Sequence, residues 1–157
     1  MDSTIGYSPK DLRFSSDARS KLINGVAKMS RAVKSTLGPS GNTVLIESPE
    51  HTHGLTVTKD GVTVAKSIFL LDPVENLAVR MMKEAADRTA TSAGDGTTTA
   101  IVLTEAMVTR GNEFITERNN PTEVLRNVNT VVDGVVKSLE KVSKKVSGKT
   151  LKDVASI

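Results

Sequence analysis

Gly94-Asp95-Gly96-Thr97-Thr98-Thr99 sets two glycines, one carboxylate and three hydroxyls at the point where a long apolar-periodic segment begins. Glycine lets a backbone approach a bulky anion, the first amides of a helix lack intrahelical partners, and the helix dipole favours negative charge there. The stretch therefore suits a nucleotide phosphate. Asp95 suits the counter-ion: magnesium takes one or two carboxylates and completes its shell with water and phosphate oxygens. Asp, Thr and Gly are also ordinary helix-start residues, so a plain cap is the competing reading of these six positions. Other phosphate-loop motifs do not apply. There is no G-x-x-x-x-G-K-[ST], and Gly94-x-Gly96 lacks both a third glycine and a preceding strand.

Working outward, the upstream segment opens with Asp72-Pro73-Val74-Glu75, a cap, a proline at the first helical position and a glutamate three residues after the aspartate. Its periodicity predicts a helix burying Leu77, Ala78, Met81, Met82 and Ala85 and ending at Gly94. Downstream, a helix is expected from the threonines to Asn119-Asn120, with Ala100, Leu103, Met107, Phe114 and Ile115 inward. Asn120, Pro121 and Glu123 repeat the cap, and Val124, Val128, Val131, Val135, Leu139 and Val142 form a stripe of about six turns. The first helix is expected over Asp17 to Leu37, capped by Ser15 or Ser16. Its apolar stripe is Ala18, Leu22, Val26, Met29, Val33 and Leu37, and Gly38-Pro39 stops it. Thr43 to Glu47 and Leu55 to Thr58 read as a β-hairpin, and Gly61 to Leu71 as a short helix mainly by resemblance. Met29, Met81, Met82 and Met107 occupy stripe positions and read as core filler.

Thr36-Leu37-Gly38-Pro39-Ser40-Gly41, Thr58-Lys59-Asp60-Gly61 and the glycine–threonine stretch, in this order, resemble the nucleotide-binding half of the equatorial domain of the bacterial GroEL-type, group I chaperonins. Lys10-Asp11-Leu12-Arg13-Phe14, Asp17-Ala18-Arg19 and Asn120-Pro121 extend the resemblance over nearly the whole chain from Lys10. It implies a mainly α fold, a chaperonin equatorial-domain-like helical bundle with a short β-hairpin. Residues 1–146 would be the amino-terminal half of that domain. Residues 147–157, after the break at Val146-Ser147-Gly148, would start the intermediate domain and end before it can fold.

Carried over residue by residue, the resemblance implies that Thr36, Leu37, Gly38 and Pro39 line ATP with Lys59 adjoining. Gly96, Thr97, Thr98 and Thr99 would wrap the phosphates, Asp95 would hold Mg2+, and Asp60 would position the attacking water. Backbone oxygens of Thr36 and Lys59 would face K+. Ser40 departs from the family's usual lysine. The second hydrolytic aspartate, a later glycine pair, the adenine-side residues and the substrate-binding apical domain would follow this sequence. The expected activity is an ATPase that folds unfolded polypeptides in a homo-oligomeric ring, with a co-chaperonin as a further partner and full competence requiring the longer protein. A shortened, non-enzymatic module that modulates a ring is the alternative.

Composition bounds the rest. The 157 residues are 38% hydrophobic with 3% aromatics and no tryptophan, enough for one domain with an aliphatic core. Absence of cysteine excludes disulfides and thiolate metal sites and fits the cytoplasm or another reducing compartment. No apolar leader or 18-residue apolar run points to a membrane. Charge is only +3, from 21 Lys+Arg and 18 Asp+Glu. Lys137, Lys141, Lys144, Lys145, Lys149 and Lys152 concentrate it near the end without aromatic residues to stack bases. They read as a solvated helix face, with no nucleic-acid partner expected. His51 and His53, near Glu47 and Glu50, lack an orienting set of neighbours and read as exposed turn residues rather than a metal site.

Overall fold

The computed structural model describes residues 12–47, 54–116 and 119–156. Their elements are α1 (Ser15–Lys34), β1 (Val44–Glu47), β2 (Leu55–Thr58), α2 (Gly61–Ser67), α3 (Pro73–Ala93), α4 (Thr97–Glu113), α5 (Pro121–Val142) and α6 (Lys149–Ala155). The fold is mainly α, as expected. None of the described helices is long and apolar enough to cross a membrane. The chain divides into two compact units, Met1–Thr109 and Arg110–Ile157.

In the first unit α1 packs along α3, and α2 and the hairpin close over that pair. The core is aliphatic: Val26, Met29 and Val33 from α1, Val64 and Ala65 from α2, Ala78, Val79, Met82 and Ala86 from α3, and Ile101 from α4. Full burial of a Val, Met or Ile side chain stabilises by roughly 1.5–3 kcal/mol, so Met29, Val33, Val64, Val79 and Ile101 dominate. Strands β1 and β2 pair antiparallel with Val44 opposite Thr58 and Glu47 opposite Leu55. His51, His53 and Glu50 lie outside the described residues, as do Lys10 and Asp11.

Several boundaries and faces differ from the sequence reading. Phe14, not Ser15 or Ser16, is the residue before α1, and no side chain caps it; Asp17 in the first turn faces the positive end of the helix dipole instead. The helix ends at Lys34, before Leu37. There the hydroxyls of Ser35 and Thr36 donate to the carbonyls of Ala32 and Val33, at 2.7 and 2.8 Å, and turn the chain away. Helix α2 stops at Ser67 rather than Leu71, since the Leu70 amide donates to Asn76 Oδ1 at 3.0 Å and draws the segment toward α3.

On α3 the buried face is Glu75, Asn76, Ala78, Val79, Met82 and Ala86. Leu77 and Ala85 are exposed, and Met81 is 62% exposed. The face is turned because Glu75 does not fold back on the cap. It is buried against α1, where its carboxylate accepts from Lys28 Nζ. Asp72 caps α3 alone, accepting from the amides of Val74 and Glu75 at 2.9 and 3.1 Å. An ion pair to Lys21 and those amides hold its carboxyl down at about 2, and the same bond raises the Lys21 ammonium.

Helix α4 buries only Thr97 and Ile101. Leu103, Met107 and Phe114 are exposed, so neither Met81 nor Met107 is core filler. The helix ends at Glu113, short of Asn119, in two tight turns: the Phe114 amide donates to Gly111 O and the Ile115 amide to Asn112 O, both at 3.2 Å. In the second unit α5 starts as read, Asn120 Oδ1 accepting from the Glu123 amide at 2.9 Å. None of its residues is buried. The six lysines of the late segment are exposed.

Candidate functional site

Three loops carry the residues singled out above. Beyond α1, the Thr36 and Leu37 amides donate to Val33 O and Lys34 O, both at 3.1 Å. Gly38 then adopts φ +79°, in the left-handed region that only glycine enters freely. Bonds from Gly41 N to Gly38 O, 3.0 Å, and from Asn42 N to Ser35 O, 2.7 Å, close the loop. A Cβ on Gly41 would collide with the Thr36 carbonyl. Leu37, Gly38, Pro39 and Ser40 face solvent, and Thr36 is half-buried.

After β2, the Asp60 amide donates to Thr58 Oγ1 at 2.9 Å, which fixes the entry to α2. The Asp60 carboxylate accepts from the Val62 amide at 3.2 Å, the Thr63 amide at 2.9 Å and Thr63 Oγ1 at 2.6 Å. The Thr63 hydroxyl contributes most to lowering its pKa, with the two amides adding to it. Asp60 is thus ionised, oriented and exposed, and it is also a helix cap. Lys59 beside it is exposed.

The third loop joins α3 to α4. Gly94 and Gly96 both have positive φ, +78° and +89°. Between them Asp95 Oδ1 accepts from the Gly96 amide at 2.6 Å, and Asp95 is exposed. The first α4 bond runs from the Ala100 amide to Gly96 O at 2.8 Å, so the amides of Thr97, Thr98 and Thr99 have no intrahelical acceptor. Thr97 is buried, Thr98 half-buried and Thr99 exposed.

Gly61 shows that these loops meet. It is buried at the first position of α2, and a Cβ there would overlap Thr98 Oγ1, reach Thr98 Cβ at 3.4 Å and Thr36 Oγ1 at 3.2 Å. The end of α1, the start of α2 and the start of α4 therefore converge on one point. Asp60 adjoins that point in sequence, as do Leu37 beside Thr36 and Thr97 and Thr99 beside Thr98. The donor set suits a magnesium-bound polyphosphate: unpartnered amides, hydroxyls and left-handed glycines for the anion, and isolated carboxylates for the cation. Among the described residues no three metal-ligating side chains cluster.

Three contributors escaped the sequence reading. Gly61 was visible only as part of its motif, since its neighbours are distant in sequence. Thr63 had a local signal, a hydroxyl three residues after a capping aspartate. Lys83 had none. Its ammonium donates to Lys66 O and Ile68 O, each at 2.7 Å, and so holds the carboxyl end of α2 against α3. Burial pushes its pKa down.

A model of the TCP-1/cpn60 chaperonin family matches residues 29–157. The chain belongs to that family. Its fold is similar to the chaperonin gp146 from bacteriophage EL 2 (Pseudomonas aeruginosa), crystallised in the presence of ATP-BeFx, with a TM-score of 0.73 and 34% sequence identity. The match covers 84% of this chain and 22% of the phage chaperonin, so this chain spans about a fifth of that protein's length. Within the chaperonin architecture it corresponds to the amino-terminal region of the equatorial domain of the group I type.

Proposed function

We propose that this chain is the nucleotide-binding, amino-terminal part of a ring-forming chaperonin subunit that hydrolyses ATP with magnesium to drive protein folding. The observation that carries it is the packing of Gly61 against Thr98 and Thr36, which joins the three loops that would hold one nucleotide. Thr36, Leu37, Gly38 and Pro39 line the nucleotide with Lys59 adjoining, Gly96 to Thr99 wrap the phosphates, Asp95 holds the magnesium ion, and Asp60 orients the attacking water. The carbonyls of Thr36 and Lys59 would face potassium. Bound magnesium neutralises phosphate charge, and the protein's share of phosphoryl transfer is positioning and electrostatics. Residues 1–146 form the equatorial part and residues 147–157 begin the intermediate domain. Unfolded polypeptide and a co-chaperonin bind elsewhere in the longer protein, in the cytoplasm or a similarly reducing compartment.

The test is ATP binding and turnover by the protein expressed from its complete coding sequence. Asp60→Asn keeps a capping oxygen and removes the charge, so it separates catalysis from the cap, which alone is worth about 1 kcal/mol. Nucleotide affinity should stay within about threefold while turnover falls at least about tenfold, the scale of a mispositioned reactant. Parent-like turnover would remove Asp60 from its role. A parent protein without magnesium-dependent ATP hydrolysis would overturn the function.

Ring assembly rests on the segment ahead of α1, where Leu12 and Phe14 are 70% and 72% exposed and lie outside any strand. Extended backbone of this kind offers donors and acceptors to a neighbouring sheet. Removing the residues before Ser15 should reduce the mass in solution while helix content is retained. An oligomer of unchanged mass would sink the assignment.

A further inference from the structure

We propose that Gly61 is a positioning residue for the reaction: its missing side chain sets the distance between Asp60 at the head of α2 and the threonine turn at the head of α4. The inference rests on the nucleotide reading above. Asp60 cannot adjust independently of α2, because its carboxylate is tied to Val62 and Thr63 in the first turn of that helix. The far end of α2 is fixed as well, through Lys83 on its last carbonyls. The spacing between the Asp60 carboxylate and whatever Thr97 to Thr99 hold is then decided where α2 touches α4, and that contact is Gly61 against Thr98. The added carbon would overlap Thr98 Oγ1, so either that hydroxyl swings out of its place in the threonine turn or α2 shifts. Thr98 Cβ, at 3.4 Å, is only in ordinary contact with the added carbon, while on the other side Thr36 Oγ1, 3.2 Å away and held by its bond to Val33 O, must give by a few tenths of an ångström. A single methyl group at position 61 therefore spoils the alignment of Asp60 with the threonine turn, by displacing the Thr98 hydroxyl or by moving α2. Gly61 has no positive φ and opens α2 directly after its cap, so no left-handed backbone conformation accounts for a glycine here.

The experiment is a double-mutant cycle of parent, Gly61→Ala, Thr98→Ala and the pair, on the protein from its complete coding sequence, with ATP as the probe. Fold is checked by circular dichroism. Gly61→Ala should lower kcat by about tenfold or more with KM changed by less than about threefold, because alignment is lost while the phosphate contacts persist. Thr98→Ala removes the clashing oxygen, so the double variant should turn over no more slowly than Thr98→Ala alone. Parent-like kcat in Gly61→Ala, or independent losses that multiply in the pair, overturns the proposal. If Gly61→Ala alone does not fold, recovery of fold and turnover in the pair supports it, and a pair as unfolded as the single variant overturns it. A parent that binds no ATP brings down the nucleotide reading together with this proposal, whereas a parent that hydrolyses ATP beside multiplicative variants brings down this proposal only.

Discussion

Asp95→Ala is expected to lower magnesium-dependent ATP turnover by at least about a hundredfold, the scale on which loss of one stabiliser of developing charge is felt. Nucleotide affinity should weaken with it. The carboxylate sits on a two-glycine turn, exposed, with Oδ1 on the Gly96 amide and no described neighbour on Oδ2. It is not buried and holds no ion pair among the described residues, so the substitution removes little folding energy. The same substitution also frees the Gly96 amide to solvent, a minor cost at an exposed position. A large functional loss at nearly unchanged thermal stability is thus the signature of a metal-holding carboxylate, while the cap reading of the same six residues predicts the reverse. Titrating magnesium separates the two further. If Asp95 holds the ion, the variant's residual activity should require far more magnesium than the parent's. Parent-like turnover and magnesium dependence would return the stretch to an ordinary helix start.

Local chemistry was legible in the sequence and long-range packing was not. Asp72, Asn120 and Gly94 act at helix ends as read, since caps and left-handed glycines depend on residues within a turn of one another. The hairpin strands and the six-turn α5 were equally visible, being short-range patterns. The inward face of α3 was not. Leu77, Met81 and Ala85 fit an apolar stripe, yet the interior took Glu75 and Asn76, because Lys28 on α1 neutralises the one and the Leu70 amide satisfies the other. Polar residues enter an interior when a distant partner meets them, and periodicity carries no information about that partner. Of the candidate site, the sequence showed the loops and their residue types. Their meeting at Gly61 is a tertiary contact between residues 36, 61 and 98.

Gly25 illustrates the same limit with a larger energetic consequence, and Gly25→Ala is expected to destabilise the protein by about 2 kcal/mol or more. Sequence statistics argue the opposite, since glycine inside a helix such as α1 costs roughly 0.5–1 kcal/mol relative to alanine. The structure reverses the sign. Gly25 lies where α1 crosses α3, and a Cβ there would overlap the Glu75 carbonyl oxygen, with Glu75 C at 2.9 Å and Cα at 3.0 Å. These are backbone atoms of a helix capped by Asp72, so no rotamer change relieves the contact. The helices must separate instead. Separation would open the layer formed by Val26, Met29, Ala78 and Val79 and would stretch the Lys28–Glu75 pair, whose carboxylate is largely buried. Packing lost over several side chains exceeds the propensity gained at one. For a domain of this size each kcal/mol lowers the melting temperature by roughly 2–4 °C, so a fall of several degrees should be seen by calorimetry or circular dichroism. Gly134 is the internal control. It also lies inside a helix, α5, but an added Cβ meets nothing within 4 Å, so Gly134→Ala should be neutral or slightly stabilising. Equal melting temperatures for the two alanine variants would mean that the α1–α3 crossing tolerates a wider separation than its close backbone contact implies.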